Sequence, residues 1–242
     1  MTTSVRLDFS RPIALFPLPS VALYPHTLEL FIAFEPRYRQ LVEDCLRARD
    51  GGPLLEAAPI AMATYAGRNW SGERVGEPPL RPAVCVGKIV EHRELPDGRH
   101  RIALHGLCRA RIESLSEPEG RRLYRLARLA PIDAPSTRGP RRLPLLEREI
   151  AELIGSGQLG RLQGLGPVRE WIARGKVPTD IVIEQLAAIL SRGDEQRYAL
   201  LAEPSARARA RFVLSELSHM QRLLERASGR TPAPPRRGVN LN

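Results

Sequence analysis

The stretch AVCVGKIVEHRELPDGRHRIALHGLCRARI (residues 83–112) constrains the fold more than any other part of the chain. Val84, Val86, Ile89, Ile102 and Leu104 lie on two strand-like runs, and PDG between them supplies the Asp-Gly turn that hairpins favour. Asp97 and Gly98 can both take positive φ at low cost, which such a turn demands. Other short runs surround this hairpin. PIALFPLP, fenced by prolines, suits an opening strand near an edge. In HTLELFIAFEP, Leu28, Leu30 and Ile32 alternate against Glu29 and Phe31. PIAMATY and RLYRLARLAPI complete the set.

One helix interrupts these strands. In AFEPRYRQLVEDCL, Pro36 fits the first helical turn, where its missing N–H costs nothing. Tyr38, Leu41, Val42, Cys45 and Leu46 recur on one face, and Arg37, Arg39, Glu43, Asp44 and Arg47 face away. Arg39 and Glu43 are spaced for an i, i+4 pair. A long polar loop, Tyr65 to Pro82, carries Trp70. Residues 11–134 are therefore expected to form a small mixed β-barrel domain with one inserted helix.

Past the Pro/Gly/Arg-rich linker APIDAPSTRGPRR the periodicity becomes helical. Leu146, Ile150, Leu153 and Ile154 make one stripe, and Val213, Leu217, Met220 and Leu224 make another. VPTDIVIEQLAAILSRG reads as a helix with Thr179 as N-cap and Gly193 as stop. QLGRLQGLGP is too rich in glycine for a helix and is expected to bend. A helical bundle over 142–227 and a Pro/Arg-rich disordered tail over 228–242 follow. The fold class is α+β.

Composition restricts function. The 242 residues include no apolar run near the roughly 20 needed to cross a bilayer. MTTSVRLDFS lacks an apolar signal region, so a cytoplasmic location is expected and no membrane partner. Cys45, Cys85 and Cys108 are odd in number and sit among apolar neighbours, as reduced buried thiols do. Residues 1–134 hold 19 basic and 16 acidic side chains, and residues 135–242 hold 18 and 11. The net charge of +10 is thus concentrated in the second half. All basic residues except Lys88 and Lys176 are arginine, a skew of codon usage more than of phosphate recognition. Nucleic acid is accordingly expected to bind only non-specifically.

No catalytic signature is present. The chain has no GxxxxGK[ST] loop, GxSxG elbow, HExxH or CxxC. The GxG within GSGQLGRLQG follows a helix instead of a strand. His26 and Glu29 could exchange a proton, yet no nucleophile accompanies them. His105 and Cys108 lack the second pair a zinc site requires. No enzyme activity, cofactor or metal is expected.

From FPLPSVALYPHTLELFIAFEPRYRQLVEDCL onward the chain resembles the N-terminal substrate-binding domain of the ATP-dependent Lon protease family. Gly87, PDGR and HGLCRARI resemble a later block of the family, and LAAILSRGDEQRYALLAEPSARAR resembles its helical part. The resemblance covers about residues 11 to 226. It implies a PUA-like barrel followed by a small helical bundle, which together recognise unfolded or degron-bearing protein. The ATPase and the Ser–Lys peptidase have no counterpart, so proteolysis is not inherited. Arg37, Tyr38, Gly87, Asp97, Gly98, Gly106 and Arg109 fall on signature positions and are expected to be structural. Tyr38 can anchor its helix, and Arg37 can meet a carboxylate or strand-end carbonyls.

The expected function is a non-catalytic peptide-binding module whose surface is the cleft between barrel and bundle, with Phe31, Trp70 and Trp171 as aromatic anchors. Two alternatives are kept. One is RNA binding, as PUA-like barrels do elsewhere, although aromatic residues are only 5% of the chain. The other is a hidden hydrolase, or an adaptor subunit assembled with a separate ATPase or ATP-dependent protease.

Overall fold

The computed structural model describes residues 7–21, 23–67, 78–132, 143–175 and 177–228. Strands β1 (Ile13–Leu18) and β2 (Leu28–Ala33) precede helix α1 (Pro36–Arg47). Then come β3 (Ile60–Thr64), β4 (Ala83–Glu94), β5 (His100–Ser116) and β6 (Leu126–Pro131). Five helices follow: α2 (Pro144–Gly155), α3 (Gly166–Arg174), α4 (Thr179–Leu190), α5 (Gly193–Ala202) and α6 (Ala206–Ser228). The class is mixed α+β. The tail expected over 228–242 lies, beyond Ser228, outside the described residues.

The strands pair in the order β2-β5-β4-β3-β1-β6, and β6 then returns to β5. β5 allows this because it is 17 residues long. Its first half holds β2 on one side and β4 on the other, and from Ala110 onward it holds β6. Register shifts at Val86/Gly87, Ile89/Glu91 and Ile112/Ser114 supply the bends. All five strands of the closed cycle contribute to one cluster of nine buried residues: Ile13, Leu15, Ala61, Ala63, Val84, Val86, Ala110, Ala127 and Leu129. Four of these are alanine, because so few strands enclose little volume. β2 stands outside the cycle.

Several local expectations need correction. β1 is no edge strand; it runs between β3 and β6 and is buried from Ile13 to Pro17. Pro17 is tolerated because Leu15 turns its N–H toward β6, onto the Arg125 carbonyl at 3.0 Å. Two residues on, Pro17 faces the same way but lies past the last β6 pair, where no donor is required. The β4–β5 turn uses one positive φ, not two. Gly98 has φ 77° and returns its N–H to Leu95 at 2.9 Å, while Leu95 donates to Arg99 at 2.8 Å. Pro96 fixes the φ that a type I turn wants, so Asp97 stays at negative φ and accepts the Arg99 N–H at 3.1 Å.

Helix ends also differ. Thr179 is the first residue of α4, and its Oγ1 accepts the Leu143 N–H at 2.8 Å instead of capping its own helix. Gly193 opens α5 with φ 74°; α4 stops earlier, at Leu190. The bend in the Gly-rich run is made of two 3₁₀ turns, Leu159–Arg161 and Gln163–Leu165, and leads into α3. On α1, Glu43 turns to His100 Nε2 at 3.3 Å instead of Arg39. Arg39 reaches the hairpin tip, where a Cβ on Gly98 would lie 2.6 Å from its Nη2. An i, i+4 pair is worth a few tenths of a kcal/mol, so tertiary contacts override it.

The rest of α1 follows its pattern. Tyr38, Leu41, Val42 and Cys45 are buried. The Tyr38 ring packs on Phe16 with centroids 4.3 Å apart, and its hydroxyl donates to the Pro17 carbonyl at 3.0 Å. Arg37 pairs with Glu35 at 2.9 Å. One continuous apolar cluster then joins strands to helices, holding Phe16, Cys85 and Leu104 together with Leu41, Ile150, Ile183, Leu186, Val213 and Leu217. No disulfide joins the three cysteines, and burial pushes the Cys45 thiol up to about 12.

Inside this apolar cluster sits an ionic triad. Arg109 of β5, only 1% exposed, donates Nη1 and Nη2 to the two carboxylate oxygens of Glu184 on α4, at 3.1 and 2.6 Å. Its Nε donates to the Leu201 carbonyl at 3.1 Å. Arg209 of α6 reaches the same carboxylate at 2.8 Å and the Glu203 carbonyl at 2.7 Å. The triad fastens α4 and α6 to β5.

Candidate functional site

The alternation in β2 holds, but its apolar set faces outward. Leu28, Leu30 and Ile32 are 55%, 63% and 48% exposed, and Phe34 beyond the strand is 62% exposed. Ala33 is buried instead, and Phe31 is half-buried with its ring 5.9 Å from Phe16. Glu29 shares the Phe31 side, where partial burial raises its carboxyl and Arg197 partly offsets the rise. A row of large apolar side chains thus stands in water, and Glu29, also exposed, lies on the other face of the strand.

β2 is also an edge. Among the described residues it pairs with β5 alone, from Leu28 opposite His105 to Ala33 opposite His100. Sheet edges are normally guarded by charges, prolines or bulges. The row Leu28, Leu30 and Ile32 carries none of these, and the exposed charge of β2, Glu29, lies on the other face. A free edge of backbone donors and acceptors beside aligned apolar side chains can take up an extended segment as an extra strand.

A tight turn fixes the start of β2. His26 adopts φ 63° and gives its N–H to Gly106 at 2.8 Å, and Gly106 gives its N–H to Thr27 at 2.9 Å. The Thr27 hydroxyl bonds both backbone groups of Tyr24, at 3.1 and 2.8 Å. The His26 carbonyl accepts from Gln185 of α4. The His26 and His105 rings stand 6.5 Å apart beside Leu28.

Burial holds His26, His105 and His92 below the ordinary imidazole value of 6.5. The unfolded chain therefore takes up protons near pH 6.5 that the folded chain refuses. Stability is fully present above that pH and is lost as pH falls through it. The thermal midpoint is expected to drop between pH 7.5 and 5.5, and His26→Asn, which tolerates positive φ, to flatten part of that drop. A midpoint that is level or higher at pH 5.5 contradicts this.

A cleft of about 660 Å³ lies between the sheet and the start of α5, lined by Pro19, Thr64, Tyr65 and Arg81 on one side and Arg192 to Gln196 on the other. Two of its charges, Arg81 and Glu195, are matched to each other. Arg81 makes a two-point contact with Glu195 at 3.1 and 2.9 Å and stacks 3.5 Å over the Tyr198 ring. Neither Phe31 nor Trp171 lines it. Trp171 of α3 is half-buried against the shared core, and Trp70 lies outside the described residues.

The signature positions fall on packing. A Cβ on Gly106 would lie 2.0 Å from the Tyr24 carbonyl oxygen. One on Gly87 would lie 2.9 Å from the His105 oxygen and 3.0 Å from Leu23. Asp97 and Gly98 shape the hairpin turn, Arg37 and Tyr38 seat α1, and Arg109 anchors the triad. Among the described residues, no group of three or more His, Cys, Asp or Glu side chains is arranged for a metal. No described helix is long and apolar enough to cross a membrane.

Comparison with known proteins bears on the fold as a whole. Residues 12–219 match the family model of the ATP-dependent protease La (LON) substrate-binding domain. Two solved structures share the fold. The N-terminal domain of Mycobacterium avium complex Lon protease aligns with a TM-score of 0.60 at 12% identity, covering 86% of this chain and 98% of that one. A Lon N-terminal domain protein from Xanthomonas campestris aligns with a TM-score of 0.55 at 21% identity, covering 85% and 98%. No curated protein matches.

Proposed function

This chain belongs to the ATP-dependent protease La (LON) substrate-binding domain family, and from that premise we propose that it captures unfolded or degron-bearing protein segments without cutting them. The closed strand cycle is read as the PUA-like barrel of residues 11–134, and the helices of 142–227 as a small bundle that shares its core. The observation that carries the proposal is the free β2 edge with its outward row of Leu28, Leu30 and Ile32. An extended client adds to that edge through backbone hydrogen bonds, and its alternate apolar side chains cover the row. This moves the binding surface from the cleft to the strand. In the cytoplasm, such a module would hold clients for a separate ATPase or protease.

Fluorescence anisotropy with labelled apolar decapeptides tests the reading. Removing one buried leucine contact is worth about 1.5–3 kcal/mol. Leu30→Asp is therefore expected to weaken binding by about tenfold or more, with the melting curve unchanged because Leu30 is exposed. Equal affinity in the wild type and Leu30→Asp rejects the β2 edge. If RNA of any sequence competes with the peptide only at low salt, its binding is charge alone.

A further inference from the structure

Across the sheet from the apolar row stands a pair of like charges. Ile32 on β2 is in register with Arg101 on β5, which is in register with Arg93 on β4. Registered residues share a face, so the three side chains stand abreast. Both arginines are exposed, and among the described residues neither has an ion-pair or hydrogen-bond partner. Glu91, two residues before Arg93 on the same strand, joins neither. Like charges directly opposite each other weaken a strand pair. Here they are kept at the end of an exposed apolar edge.

Resting on the reading of β2 as the capture edge, we propose that this edge selects extended segments bearing an acidic side chain at the Ile32 end of the row, and that Arg101 is the selecting residue. A strand added to β2 would lie two strand spacings, about 10 Å, from β5. An arginine and a glutamate leaning toward each other over Ile32 span that distance. Repulsion from Arg93 on the far side favours Arg101 leaning toward the edge, and an acidic client relieves the repulsion. The occupant is thus an apolar strand with a carboxylate beside it, not an apolar strand of any kind.

Three labelled peptides with blocked ends test this, each with the same alternating apolar centre and with Glu, Gln or Lys at both ends. Placing the charge at both ends makes the result independent of strand direction. The wild type is expected to bind Glu over Gln by about fivefold, and Gln over Lys by a similar factor, as one partly exposed ion pair provides. Arg101→Glu reverses the order. Arg148→Glu, an equal change of net charge at an exposed position on α2, leaves the order intact. Equal binding of the three peptides by the wild type overturns the proposal. So does a preference that Arg148→Glu disturbs as much as Arg101→Glu does. If the Gln peptide fails to bind at all, or Leu30→Asp does not weaken it, the capture edge itself falls and the selection falls with it.

Discussion

Gly106→Ala is expected to remove a large share of the stability of this protein. The new methyl would lie 2.0 Å from the Tyr24 carbonyl oxygen, a backbone atom that no rotamer change can move. Relief requires β5 and the 24–27 turn to separate, which breaks the His26-to-Gly106 and Gly106-to-Thr27 hydrogen bonds. Overpacking costs about 1–3 kcal/mol, and two lost hydrogen bonds add about 1 kcal/mol each. The expected loss is about 3–5 kcal/mol, against a net stability of about 5–15 kcal/mol for a domain. Urea unfolding followed by circular dichroism measures it. Gly87→Ala serves as the graded comparison, since one of its two close neighbours is the movable end of Leu23. A Gly106→Ala protein within about 1 kcal/mol of the wild type would show that the 24–27 turn is not held in this way.

Glu184→Ala is expected to cost about as much for a different reason. It leaves the Arg109 and Arg209 guanidinium groups buried together with no carboxylate between them. Breaking a buried ionic set by removing one partner typically costs about 3–5 kcal/mol. Replacing all three residues by apolar side chains of similar volume is expected to restore much of that loss, because the buried set is worth far less than the penalty of orphaning its members. The single and triple variants therefore test the triad by non-additivity. If the triple variant loses as much stability as the three singles summed, the groups act separately.

The sequence made some of this legible, and the reasons are local. α1 is readable because Pro36 and the stripe Tyr38, Leu41, Val42 and Cys45 are local signals that tertiary packing only reinforces. The β4–β5 hairpin is readable because PDG and its flanking runs lie together, although Pro96 selects a turn with one left-handed residue instead of two. Alternation in β2 separates its two faces without saying which one is buried. That choice depends on Phe16 and the core, not on β2. The triad is hidden for a similar reason, since Arg109 and Glu184 are 75 residues apart. A signal did exist: Arg109 sits beside Ala110 in a strand with buried positions, and Glu184 adjoins Ile183 on a largely apolar helix. A charge at such a position calls for a partner of opposite sign. The outward row and the Arg93–Arg101 pair need the strand register, which no spacing along the chain supplies.

β5, bound at once to β2, β4 and β6, decides how the molecule bears force. Tension along a segment captured as proposed on β2 would be shared by the six β2–β5 backbone pairs loaded in shear, and would pass from β5 through the Arg109 guanidinium into two helices. A sideways pull on the same segment would unzip its bonds one at a time. A grip of this geometry is strong lengthwise and weak to peeling, so the direction from which a motor pulled would set how readily the cargo is let go.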